Sequence, residues 1–160
     1  MIKYTTSEIT FREVPGKINR CFSISGCGFH CKNCHSPELQ GDSGEDLTTE
    51  LLKKYIEKDK GVVDCYVFLG EGYDIDSLKT LLCICKESEL ETCVYSGKTE
   101  YEGFIKNYPL LLDYIKLGPY VEELGGLDNP KTNQRFYKII WKEDNSAELI
   151  DITPEFWKRK

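Results

Sequence analysis

Between residues 18 and 117 the sequence switches repeatedly between two periodicities, and that alternation limits the chain to a small set of layered folds. Residues 18–25 set Ile18, Arg20, Phe22 and Ile24 against Asn19, Cys21, Ser23 and Ser25, the period of two that marks a strand. Over residues 47–58, Leu47, Leu51, Leu52, Tyr55 and Ile56 fall on one helical face, and the unbroken apolar run 65–69 suits a buried strand. The step repeats: Ile75, Leu78, Leu82 and Cys85 form a helical stripe ahead of a short strand at 92–95. Thr99 with Glu102 three residues on is a capping-box signal for a third helix, and 113–117 reads as a further strand. Beyond it, 135–141 and 148–152 read as strands joined by a polar turn at 143–146, and Thr153 before Pro154 predicts the cap of a short final helix.

Strands alternating with helices predict an α/β fold with a mainly parallel sheet and right-handed crossovers. A complete eightfold barrel takes about 250 residues. With 160 residues, an open or partial β/α barrel is expected instead. No internal repeat, low-complexity tract or Pro/Ser-rich linker divides the chain, so residues 1–160 are expected to form a single domain. The most irregular stretches, 27–44 and 118–133, are candidate functional loops.

A formal charge of −6 argues against nucleic acid or an anionic membrane surface as partner, and points to a protein or a small molecule. No apolar run is long enough to span a bilayer, and the first residues lack the basic-then-apolar layout of a signal peptide, so a cytoplasmic location is expected. In a reducing compartment, eight cysteines point to metal or redox chemistry rather than disulfides.

Three of those cysteines, Cys27, Cys31 and Cys34, fall within eight residues as C-x3-C-x2-C, at the end of the first strand pattern. Such a loop either borrows His30 or His35 as a fourth ligand or leaves one metal position open. A structural zinc site with His35 is the alternative, although structural zinc motifs usually come as paired C-x2-C elements. Cys21, Cys65, Cys83, Cys85 and Cys93 lie within strand or helix patterns and are expected to act as small apolar residues; a second cluster from Cys83, Cys85 and Cys93 is the other reading.

The cysteine spacing, placed after a strand in a βα-repeating chain, resembles the radical S-adenosylmethionine superfamily. That resemblance implies a partial barrel of radical SAM type and one 4Fe-4S cluster with three irons on Cys27, Cys31 and Cys34. The fourth iron is then expected to bind the amino and carboxylate groups of S-adenosylmethionine. Reduction would split that cofactor into methionine and a 5′-deoxyadenosyl radical that abstracts hydrogen. Where many members place an aromatic residue just before the third cysteine, near the adenine, this chain has Asn33, with Phe29 as the substitute.

Within the superfamily, residues 14–135 resemble the activating proteins of anaerobic class III ribonucleotide reductase. The shared elements are Ser25-Gly26-Cys27, the Cys34-His35-Ser36-Pro37-Glu38 continuation, Tyr95-Ser96-Gly97, Asp113 to Lys116 with Gly118-Pro119-Tyr120, and Thr132-Asn133-Gln134-Arg135. The resemblance implies generation of a glycyl radical on the reductase, a protein substrate, and a flavodoxin or ferredoxin-type electron donor. An activase of another glycyl radical enzyme and a small-molecule radical enzyme such as a deazaguanine synthase are the neighbouring alternatives. A non-catalytic zinc or iron-sulfur binding module is the alternative from another class; iron with sulfide, as against zinc, separates them.

The resemblance also assigns cofactor-binding positions. Gly70, Glu71 and Gly72 stand where the family has Gly-Gly-Glu or Gly-Gly-Asp; small residues let backbone approach the cofactor and Glu71 takes its ammonium, or the three form a tight turn with Glu71 solvated. Ser96 and Gly97 end a strand, and either meet ribose or carboxylate groups or turn the chain. Lys116 interrupts an apolar strand and points either at the methionyl carboxylate or into water. Asn133, Gln134 and Arg135 offer donors to cofactor or substrate, or else bond the loop and strand end. The bent loop 118–126, with Tyr120, is the expected docking place for the reductase.

Overall fold

In a computed structural model, residues 2–25, 44–72 and 74–159 are described. Their strands are β1 (Lys3–Thr10), β2 (Asn19–Ile24), β3 (Glu45–Asp46), β4 (Cys65–Leu69), β5 (Glu91–Tyr95), β6 (Tyr114–Leu117), β7 (Arg135–Trp141) and β8 (Ala147–Asp151). The helices are α1 (Thr49–Asp59), α2 (Ile75–Glu87) and α3 (Glu102–Asn107), followed by a 3₁₀ helix, Thr153–Arg159. Among the described residues no helix is long and apolar enough to cross a membrane.

One eight-stranded sheet runs in the order β3-β1-β2-β4-β5-β6-β7-β8. The central strands β2, β4, β5 and β6 are mutually parallel, and the two wings are antiparallel. Among the described residues three of seven pairings are parallel, so the expected mainly parallel sheet is corrected to a mixed one with a parallel centre. The correction comes from β1, a Thr/Ser/Glu-rich strand whose partner is the following β2, and from the β7–β8 hairpin, whose short polar turn permits only antiparallel pairing. No pairing between β3 and β8 closes the sheet among the described residues.

In the parallel centre, strand order follows chain order without reversal, and right-handed crossovers then put every connecting helix on the same face. Accordingly α1, α2 and α3 bury Leu52, Leu78, Leu81, Leu82 and Phe104 in one core with Phe22, Phe68, Val94 and Ile115. Phe22 lies at its middle, with ring centroids of Tyr55, Phe68 and Tyr66 at 5.1, 5.7 and 5.9 Å. The opposite face carries a second core in which Cys21, Cys65, Val67, Cys93, Tyr114 and Phe136 are covered by Val14 of the β1–β2 loop and Phe156 of the 3₁₀ helix.

Local signals explain most helix ends. Thr48 caps α1 by accepting from the Leu51 N–H at 3.1 Å, and Asp74 caps α2 by accepting from the Ser77 N–H at 3.1 Å. Two expected caps are corrected. α3 begins at Glu102 with no side-chain cap, because burial of Phe104 against the helix-side core sets its phase. Thr153 instead accepts the Phe136 N–H at 2.8 Å and donates its hydroxyl to Asp151 at 2.6 Å, tying the C-terminal segment to β7. Asp113 is a clasp of the same kind: it takes the Lys86 ammonium at 2.6 Å and the Thr92 N–H at 2.9 Å, joining α2 to the β5–β6 edge.

Candidate functional site

The four parallel strands end on one edge of the sheet, and the side chains there follow from register. Ser23 pairs with Leu69, Leu69 with Tyr95, Tyr95 with Lys116 and Lys116 with Phe136, so these residues form one row on the face away from the helices. Ser23, Leu69, Tyr95 and Lys116 are all half-buried, in contrast to the sealed row beneath them, Cys21, Val67, Cys93 and Tyr114. They make a shelf at the C-terminal ends of the strands, where ligands gather in open α/β sheets.

Cys27, Phe29, Cys31, Asn33 and Cys34, together with His30 and His35, lie outside the described residues. The stem on either side is described, and both of its ends are fixed to the start of β1. Ser25, buried, donates its N–H to the Lys3 carbonyl at 3.1 Å and its hydroxyl to the same oxygen at 3.4 Å. On return, Glu45 and Asp46 pair with Tyr4 and Lys3, and Gly44 passes so close to the Tyr4 carbonyl that a Cβ would collide with it. The cysteine segment therefore leaves and rejoins the fold beside the end of β2.

Next along the edge come Gly70, Glu71 and Gly72. Gly70 has φ +123°, and a Cβ on it would stand 3.2 Å from the Ile24 carbonyl oxygen, so strand β4 turns tightly against the end of β2 only because no side chain intervenes. Gly70→Ala is expected to cost about 1–3 kcal/mol, read as a lower urea midpoint at unchanged slope. Glu71 is held rather than solvated: Ser96 Oγ donates to Oε2 at 2.5 Å, and Lys98 Nζ lies 3.1 Å from Oε1. The same carboxylate borders a cavity of about 500 Å³ floored by Phe104 and Tyr108 and edged by Lys98, Asn107 and Pro119.

Lys116 stands on the other face. Its ammonium donates to the carbonyls of Gly118, at 2.8 Å, and Ser96, at 3.3 Å, and lies 5.8 Å from the centre of the Tyr95 ring. It thus laces the ends of β5 and β6 together. Asn133 donates to the Pro119 carbonyl at 3.1 Å, Gln134 to the Gly118 carbonyl at 3.4 Å, and Arg135 pairs with Asp151 at 3.4 Å. Asn133 and Gln134 thus bond the loop at Gly118-Pro119, and Arg135 ties its strand end to β8. Tyr120 is half-exposed in an irregular loop held by a bridge between Val121 and Gly125.

The fold brings Gly70, Glu71, Gly72, Ser96, Lys116 and Asn133 to one edge, but divides them between two faces, with Glu71 bordering the cavity, Ser96 bonded to Glu71, and Lys116 on the shelf side. In the sequence Ser23 stands only as part of a strand pattern and Tyr95 only within Tyr95-Ser96-Gly97; Lys98 carries no signal of either kind.

Cys21, Cys65, Cys85 and Cys93 are buried as apolar residues, whereas Cys83 is half-exposed. Burial pushes the Cys21 thiol up to about 12, and raises Cys65, Cys85 and Cys93 well above the ordinary range. Cys85 packs in the helix-side core and Cys93 in the opposite one, with β5 between them. Among the described residues no group of three His, Cys, Asp or Glu side chains is placed to hold a metal ion.

No family model matches the chain. No solved structure matches it. The chain is similar to the pyruvate formate-lyase-activating enzyme of Clostridium pasteurianum, 34% identical over 116 residues. The match covers 64% of this chain and 47% of that protein, so the chain spans about half the length of the curated relative it matches.

Proposed function

We propose that the chain is a radical S-adenosylmethionine enzyme that activates a glycyl radical enzyme, with anaerobic ribonucleotide reductase as its protein substrate. One observation carries the reading. A C-x3-C-x2-C run follows directly on β2, and Glu71, Ser96 and Lys116 stand at the ends of the next three parallel strands. The likeness to a pyruvate formate-lyase-activating enzyme supports the activase class.

The donor set fits the cofactors. Three thiols, Cys27, Cys31 and Cys34, would hold three irons of a 4Fe-4S cluster and leave one for an amino acid's amino and carboxylate groups. When bound, the cluster would supply the electron for reductive cleavage of S-adenosylmethionine, and with it the radical chemistry that removes a hydrogen atom from a glycine Cα. The chain's own residues bind and orient. Glu71 is the acceptor for an ammonium group, and the Ser96 hydroxyl fixes its carboxylate in place. Lys116 brings positive charge to the shelf side, and Leu69 and Tyr95 give that shelf apolar area that excludes water.

The ribonucleotide reductase substrate rests on the ensemble Tyr95-Ser96-Gly97, Gly118-Pro119-Tyr120 and Thr132 to Arg135. Pyruvate formate-lyase is the second reading, favoured by the name of the similar protein. Anaerobic incubation of the reconstituted protein with reductant, S-adenosylmethionine and each candidate partner decides between them. A glycyl radical in the electron paramagnetic resonance spectrum is expected with the reductase and not with the lyase; the reverse pattern overturns the assignment. A flavodoxin or ferredoxin is the proposed electron donor.

A further inference from the structure

The carboxylate of Glu71 already holds a cation. Lys98 Nζ lies 3.1 Å from Oε1, and the ion pair is lopsided: the Glu71 side chain is 18% exposed and the Lys98 side chain 58%. The Lys98 backbone is anchored independently of that contact. Its N–H donates to Ser96 Oγ at 3.0 Å, and its carbonyl accepts the Gly118 N–H at 2.7 Å. Ser96 Oγ holds the other carboxylate oxygen, so Glu71 keeps its place when Lys98 leaves. Beside the pair, the Phe104 ring, with its centroid 5.4 Å from Nζ, and the cavity leave room for a flexible four-carbon stem to swing aside.

We infer that Lys98 is a displaceable internal counter-ion of Glu71: its ammonium occupies the place of an incoming ligand's ammonium group and is evicted when that ligand binds. The inference rests on the reading above, in which the ligand is the amino-acid end of S-adenosylmethionine. Its physical basis is the weakness of a pair whose cation lies mostly in solvent, against the strength of a carboxylate that stays oriented. Lys98 then lowers affinity for the ligand and narrows selection to groups that present an ammonium able to compete.

The test has two arms on the anaerobically reconstituted protein. The first is acylation footprinting of lysines by mass spectrometry, without cofactor. Lys98 is expected to label faster in Glu71→Gln than in the wild type, with the other lysines unchanged. Equal labelling means that Glu71 does not hold Lys98, and overturns the inference by itself.

The second arm is calorimetric titration of S-adenosylmethionine into the wild type, Lys98→Met, Lys98→Arg, Glu71→Gln and the double variant. Lys98→Met is expected to bind about two- to fivefold more tightly, with the advantage shrinking as salt rises. Lys98→Arg keeps the wild-type affinity, and Lys98→Met gains nothing in the Glu71→Gln background. Unchanged or weaker binding by Lys98→Met overturns the inference. If Glu71 holds Lys98 but the wild type binds no S-adenosylmethionine, the activase reading falls, and the evicting ligand falls with it.

Discussion

Replacing Cys31 by alanine is expected to abolish 5′-deoxyadenosine formation and to leave reconstituted protein short of iron and sulfide. Losses in the shell behind a metal's ligands already cost about 10- to 100-fold, so removal of a ligand thiolate is expected to cost more than about 100-fold. The effect is specific to position rather than to thiol content. Cys93 is fully buried on the face away from the helices, with its thiol pushed well above the ordinary range by burial and neighbouring charges. A thiol held protonated in an apolar layer is no ligand, so Cys93→Ala is expected to lose packing and keep full iron loading. The check is iron and sulfide content per chain for the two variants side by side, with 5′-deoxyadenosine measured by chromatography. Loss of iron from both, or from neither, sinks the assignment of the cluster to the C-x3-C-x2-C run.

Legibility in this sequence follows the range of the forces involved. The strand at Cys65–Leu69 and the strand at Arg135–Trp141 agree residue for residue with their sequence patterns, because each carries its burial pattern in its own side chains. β1 went unread: in Lys3–Thr10 only Tyr4 is buried, and the strand exists because β2 follows it closely enough to pair. That missing strand is also why a mainly parallel sheet was expected. Thr99 and Glu102 have the residue types of a capping box, yet tertiary burial of Phe104 starts the helix two residues later than the box implies.

The site divides in the same way. Gly70 and Glu71 were readable through the family resemblance, Ser96 from its place at a strand end, and Lys116 as a charge that interrupts an apolar strand. Their partners were not. That Tyr95 lies beside Lys116, and that Lys98 meets Glu71, depends on the register between strands and on which way a turn directs a side chain. Neither property is written within a window of a few residues.

The buried pair of Arg20 and Asp59 is where the fold is expected to be most sensitive. Asp59 is the last residue of α1, where a negative charge opposes the helix dipole, and it is 4% exposed. It is stable there because Arg20 reaches it with two bonds, Nε to Oδ2 at 2.9 Å and NH2 to Oδ1 at 2.7 Å, while the Tyr66 hydroxyl donates to Oδ2 at 2.6 Å. Arg20 is itself 5% exposed and stacks over Tyr55 at 5.0 Å. Asp59→Asn strands the guanidinium as an uncompensated buried charge, expected to cost about 3–5 kcal/mol. At about 2–4 °C per kcal/mol for a chain of this size, the melting temperature is expected to fall by roughly 6–20 °C. Replacing both Arg20 and Asp59 by leucine is expected to recover most of that loss, since an apolar pair of similar volume leaves no charge behind. Acid acts on the same contact. Burial alone raises the Asp59 carboxyl, but the hydrogen bonds from Arg20 and Tyr66 outweigh it and hold the group below its ordinary 3.8. A carboxylate depressed in the folded state contributes stability that is fully present above that ordinary value and lost as pH falls through the folded one. Thermal unfolding of the wild type and of Asp59→Asn from pH 7 down to pH 3 therefore converges toward the acid end. Parallel curves, or a variant as stable as the wild type at pH 7, would show that the pair does not hold α1 to the sheet.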